Sequence, residues 1–180
     1  MTAIIDADLS NPAHAAAIVA LISQLAASEH GRREAMTPAE RDALIPALMK
    51  FPTRRVLLAT CDSSICGVAV CFVQLSTFSG RQTLKIHDLF VASTQRRRGI
   101  GRQLVEAAVQ CARQMNCAFV TVEVALDNPA AAQLYAELQF IDWITPTKFL
   151  ELRRRTARRA VLRIPGNTPH LWRFGSGSYI

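Results

Sequence analysis

A strand-forming run, Thr83 to Val91 (TLKIHDLFV), leads through the loop Ala92-Ser93-Thr94-Gln95-Arg96-Arg97-Arg98-Gly99 into a helix. The residues Ile100, Leu104, Ala107, Ala108, Cys111 and Met115 fall on one face of that helix. A strand that turns through glycine into a helix is suited to hold a phosphate. The first amides of the helix lack internal partners, the macrodipole favours an anion there, and glycine lets a ligand approach the backbone. Two common phosphate loops fit poorly. A P-loop requires Gly-Lys-Ser/Thr, and here Gly101 is followed by Arg102-Gln103. A dinucleotide fingerprint requires glycine or alanine three positions after Gly101, where Leu104 stands. Taken alone, Gly99-x-Gly101 equally suits a solvated basic loop.

The flanking pattern predicts an α+β chain. A short strand at Ala3 to Ile5 precedes a helix capped by Ser10 or Asn11 with Pro12 behind it, running to about Ala27 with Ile18, Leu21, Ile22 and Leu25 at helical spacing. Thr37-Pro38-Ala39-Glu40 has the form of a capping box with proline at the first helical position, and the helix it opens ends before Phe51-Pro52. Arg55 to Cys61 and Ile65 to Phe78 read as a hairpin about Asp62-Ser63-Ser64. Beyond the glycine loop, Ala118 to Val124 reads as a buried strand, Asn128-Pro129 opens a further helix, and Phe140 to Ile144 with Lys148 to Leu152 could close the sheet as a hairpin. The order βααβββαβαββ, with hairpins ahead of one β-α-β unit, implies a mixed sheet.

Composition narrows the function classes. Of the net charge of +7, +6 lies in residues 151–180, where seven arginines face the single Glu151, so the first 150 residues are nearly balanced. The longest apolar stretch, Ile65 to Leu75, is far short of the roughly 20 residues of a membrane helix. The start MTAIIDADLS lacks the order of a signal peptide, so a soluble cytoplasmic protein is expected. The five cysteines, Cys61, Cys66, Cys71, Cys111 and Cys117, show no zinc-ligand spacing and read as reduced, mostly buried thiols. Their five-residue repeat over Cys61, Cys66 and Cys71 matches neither strand nor helix period, so they need not share a face and the spacing carries no weight.

The stretch from Val91 to Arg102 resembles motif A of the GNAT N-acetyltransferase family, Gln/Arg-x-x-Gly-x-Gly/Ala after a strand, with Arg96, Gly99 and Gly101 in the matching places. Downstream, Asn128-Pro129-Ala130-Ala131-Ala132-Gln133-Leu134-Tyr135 followed by Phe140 resembles that family's Asn, small residues and Tyr ahead of Gly-Phe, with Gln139 in place of the glycine. The resemblance runs from about Phe72 to Phe140 and lapses beyond Leu152. It implies a mostly antiparallel mixed sheet, splayed at a coenzyme A site and flanked by helices, in a domain spanning 1–152 with a basic extension at 153–180.

Residue by residue, the resemblance implies that the backbone of Arg97, Arg98, Gly99, Ile100, Gly101 and Arg102, beside Arg96, holds the pyrophosphate of acetyl-coenzyme A as co-substrate. The strand end Phe90, Val91 and Ala92 would pair with the pantetheine arm, and the Val91 N–H would polarise the thioester carbonyl. Asn128 would contact the pantetheine or hold the splayed strand, and equally suits a helix N-cap. Tyr135 stands where the family keeps its general acid, with packing of helix on sheet as the plainer role. For the base, Glu123 in Val122-Glu123-Val124 resembles the segment used by protein amino-terminal acetyltransferases and is placed first. His87 and Asp88 compete with it, in a strand resembling the one that carries an acidic pair in polyamine acetyltransferases, with His in place of the first acid, and His87 is placed second. Strand alternation puts His87 and Asp88 on opposite faces.

The expected reaction is direct transfer of an acetyl group to a primary amine of a small molecule, with a protein amino terminus or lysine as the alternative acceptor. Glu29, His30, Arg32, Arg33 and Glu34 form a mixed-charge loop on the substrate side that does not decide between them. No metal is implied. Two rivals are a basic nucleic-acid-binding protein, disfavoured because aromatic residues do not interleave with the arginines, and a non-catalytic acetyl-coenzyme A binder. Many members of the family pair, so a homodimer is implied by analogy.

Overall fold

The computed structural model describes residues 2–62 and 64–142. The elements are β1 (Thr2–Asp6), α1 (Pro12–Ala27), α2 (Pro38–Lys50), β2 (Arg54–Cys61), β3 (Ser64–Ser76), β4 (Arg81–Val91), α3 (Ile100–Gln114), β5 (Val120–Val122) and α4 (Pro129–Glu137), with one 3-10 turn at Ser93–Gln95. This is the expected α+β order through α4. The closing hairpin is reached only at Phe140 to Asp142, which are not in a strand, and its remainder lies outside the described residues, as does the basic extension.

The five strands lie in sequence order in one sheet, antiparallel throughout except for the parallel pair β4–β5. Helix α3 covers one face, where Ile100, Leu104, Val105, Ala108 and Ala112 pack on Leu57, Ala59, Ala69, Cys71, Leu84 and Ile86. Helices α1 and α2 lie on the other face, where Ile18, Leu21 and Leu48 join Val56, Leu58, Val68, Val70 and Phe90. Strand alternation produces this division: Leu57 and Ala59 turn to α3, Val56 and Leu58 to α1. The expected caps form as well. Asn11 accepts from the Ala13 N–H, and Thr37 and Glu40 complete the capping box. Among the described residues no helix is long and apolar enough to cross a membrane.

The cysteine expectation fails at two positions, since Cys61 and Cys66 are bonded to each other across the β2–β3 hairpin, with Cα atoms 6.1 Å apart. A register shift explains it. Ala59 pairs with Gly67 but Thr60 with Ile65, so Cys66 is an extra residue that the bulge turns to the face holding Cys61. Cys71, Cys111 and Cys117 are free thiols.

Candidate functional site

The sheet opens between β4 and β5. β5 pairs with β4 only at Leu84, Lys85 and Ile86, whereas β4 runs on to Val91. β5 is thus shorter than its sequence run predicted. Along the unpaired part of β4, backbone direction follows from one bond: the Ala92 N–H donates to the Cys66 carbonyl on β3 at 2.9 Å. Because successive strand residues present their amides to opposite edges, the N–H and C=O of Val91 face the open edge. The Val91 carbonyl there accepts from Arg96 Nε at 3.1 Å, and the Arg96 guanidinium lies 5.3 Å from the centre of the Phe90 ring.

The glycine loop meets the same edge. Gly99 is the N-cap of α3 with φ of 75°, and Arg97 is also left-handed at 63°. A Cβ on Gly99 would meet nothing within 4 Å, so glycine is required there for its conformation rather than for room. Gly99 offers no side-chain cap, and the first helical hydrogen bond runs from the Gln103 N–H to the Gly99 carbonyl. The amides of Ile100, Gly101 and Arg102 therefore have no partner inside the helix and suit an anion. A Cβ on Gly101 would stand 3.5 Å from Leu134 and 4.0 Å from Val91, in the gap between α4 and the end of β4. Like Arg96, the loop residue Arg98 holds a neighbour, bonding Gln95, and Arg102 in the first turn of α3 bonds Glu137 on α4. These residues fit the pyrophosphate and extended arm of a coenzyme A thioester, with backbone donors at one end and an unpaired strand edge at the other.

Asn128 is an N-cap, its side chain accepting from the Ala131 N–H at 3.1 Å ahead of Pro129. Tyr135 is buried on the α3 side of the sheet, its ring 5.5 Å from that of Phe140. Burial pushes its phenol up to about 12, with Cys71 adding to the effect. The Cys71 thiol is pushed up to about 12 by its own burial, with Cys111 and Asp88 contributing. Cys71 thus lies within electrostatic reach of both Tyr135 and Asp88. Gln139 takes up the family glycine's geometry at φ of 65°, and the Phe140 and Gln139 amides bond the Tyr135 and Ala136 carbonyls as in a Schellman cap. A left-handed glutamine is strained. Gln139→Gly is expected to stabilise the fold by about 1 kcal/mol, raising the melting midpoint by about 2–4 °C in a thermal melt.

Of the candidate bases, Glu123 is ion-paired with Lys85 at 2.7 Å and its side chain is 67% exposed. His87 and Asp88 correct the alternation expected of them, since His87 Nδ1 lies 2.9 Å from Asp88 Oδ2. Val70 pairs with Asp88 and Cys71 with Ile86, so His87 is the extra residue of a second bulge, which brings neighbouring side chains to one side. The His87 ring also meets Phe72 edge-on at 5.5 Å, and Phe72 meets Phe51 at 5.0 Å. In the α1–α2 loop, Arg32 is paired with Glu40, while His30 and Arg33 reach Asp127 at 3.6 and 3.5 Å, linking this loop to the residue before Asn128. Neither the dyad nor this link was legible in the sequence, since each depends on a bulge or on loops that meet only in space. Among the described residues no group of three or more His, Cys, Asp or Glu could hold a metal ion.

Residues 21–140 match the model of the acetyltransferase (GNAT) family. Solved structures share the fold. A transcriptional regulator from Bacillus halodurans is 20% identical with a TM-score of 0.71, over 84% of this chain and 100% of that one. An aminoglycoside acetyltransferase from an uncultured soil metagenomic sample is 17% identical with a TM-score of 0.70, over 85% and 97%. A ribosomal-protein-alanine N-acetyltransferase from Brucella melitensis is 15% identical with a TM-score of 0.64, over 83% and 100%. No curated protein matches the sequence. With the match covering two thirds of its length and the strand–glycine–helix cradle at the splayed sheet edge, the chain belongs to the GNAT acetyltransferase family.

Proposed function

We propose that the chain transfers the acetyl group of acetyl-coenzyme A directly to a primary amine of a small molecule, with His87 as base and Tyr135 as acid. The observation that carries this reading is the coincidence, at one open edge of β4, of unpartnered helix amides with a strand backbone left unpaired by β5. When bound, acetyl-coenzyme A supplies an activated thioester. The amides of Ile100 to Arg102 hold its pyrophosphate, the Phe90 to Ala92 backbone aligns its arm, and the Val91 N–H stabilises charge developing on the carbonyl oxygen. Asn128 acts indirectly, by capping α4 and so placing Tyr135.

An amine reaches the site as R–NH3⁺ and must lose a proton before it can attack. His87 accepts that proton and passes it to water. As the amide R–NH–CO–CH3 forms, the nitrogen gives up a second proton and the departing sulfur gains one through Tyr135. The net products are the amide, the free thiol and one proton. A phenol held near 12 keeps its proton at neutral pH, as an acid for a thiolate requires. Glu123 suits the base role less well, because the Lys85 ammonium occupies the carboxylate that would take the proton. The test is calorimetric titration with acetyl-coenzyme A followed by a thiol-release assay over polyamines, amino acids, aminoglycosides and peptides with free amino termini. Micromolar binding and turnover of a small amine are expected. Turnover of peptides alone would favour a protein acceptor, and absence of binding by the folded protein would overturn the reading.

A further inference from the structure

We propose that Asp88 is a positioning residue for His87, holding the imidazole in the tautomer protonated on Nδ1 so that the Nε2 lone pair is the one offered to the acceptor ammonium. The proposal rests on His87 serving as the base of an amine acetyltransferase.

Three observations support it. The bulge at His87 makes an adjacent-residue hydrogen bond geometrically available, and the 2.9 Å contact between Nδ1 and Oδ2 is that bond. An ionised carboxylate only accepts, so the imidazole must donate from Nδ1, which leaves Nε2 as the basic nitrogen. The Phe72 ring, 5.5 Å from His87 at an interplanar angle of 88°, limits rotation about the ring axis. Exposure is graded in the same sense, with the His87 side chain 56% exposed and that of Asp88 28%, so the imidazole is reachable while the carboxylate behind it is sheltered.

The charges facing the ring predict a pH signature. The Asp88 hydrogen bond is the largest influence and raises the His87 pKa above 6.5; burial lowers it, Asp88 charge raises it, Lys85 lowers it and Glu123 raises it. Since Lys85 and Glu123 are bonded to each other, Asp88 is the partner whose removal matters most. A base works deprotonated, so activity rises with pH through the His87 pKa. Losing Asp88 must move that rise to lower pH.

Two measurements test this on the full chain. Nitrogen-15 NMR of the imidazoles, with the His87 signal identified by its loss in His87→Gln, reads tautomer and pKa without turnover. The expected result is an Nδ1–H tautomer with a raised pKa in the wild type, and a lower pKa in Asp88→Asn that Asp88→Glu restores. The pH profile of kcat/KM on an amine found in the panel then reads catalysis. Asp88→Asn is expected to shift the acidic limb down and to lower kcat about tenfold, with no further loss when added to His87→Gln. An Nε2–H tautomer in the wild type, or an unmoved pKa in Asp88→Asn, overturns the positioning role. The expected NMR result with an acidic limb that stays at its wild-type pH in His87→Gln, rather than moving to the ionisation of the amine itself, overturns instead the base assignment on which the proposal rests.

Discussion

Tyr135→Phe is expected to lower kcat by about 10²- to 10⁴-fold while the affinity for acetyl-coenzyme A changes little. The substitution removes one oxygen and keeps the ring that packs on Phe140 and within the α3 face of the core, so the fold and the cofactor cradle stay in place. On the proposed mechanism, what disappears is the proton donor for the departing sulfur. In water a thiolate leaves without great difficulty, but here the surroundings are buried enough to push the phenol up to about 12, and a naked thiolate would meet the same desolvation. Stopped-flow or steady-state thiol release, together with calorimetric titration, separates the two effects. A kcat within about threefold of wild type would mean that Tyr135 only packs α4 against the sheet.

Gly101→Glu is expected to weaken acetyl-coenzyme A binding by at least about 100-fold. A side chain at this position enters the gap between Leu134 and Val91, beside the edge of β4 where the arm would lie, and carries a negative charge to the amides proposed to hold phosphate. An acidic residue in the first turn of a helix favours the helix itself, so loss of binding should not come from unfolding of α3. A thermal melt checks this, and Gly101→Ala, whose Cβ makes only ordinary contacts, should bind nearly as the wild type does. A folded Gly101→Glu protein that binds normally would place the cradle elsewhere.

Much of the site was legible because it is local. The loop from Arg96 to Gly101, the cap Asn128 and the helix carrying Tyr135 are each set by residues close in sequence, through left-handed glycine, N-capping and helical periodicity. The amphipathic stripe of α3 led to the face that packs on the sheet for the same reason. Gln139 shows the limit of reading residue types. Gln139 stands where the resembled pattern has glycine, yet the Schellman bonds from Phe140 and Gln139 hold a left-handed glutamine in place.

Both corrections arose at bulges. Alternation placed His87 and Asp88 on opposite faces, and the cysteines read as reduced thiols; one extra residue in each hairpin brought His87 beside Asp88 and Cys66 to Cys61. A bulge exists only relative to the partner strand, so a single strand's residues carry no sign of it. The sequence by itself determined the order of elements through α4 and the glycine turn that opens α3, since these follow from local backbone preferences and periodic burial. Only the tertiary structure decided which carboxylate stands beside the imidazole, which is tied to Lys85, and where β5 leaves β4, because these depend on register between strands whose pairing is settled by packing across the whole sheet.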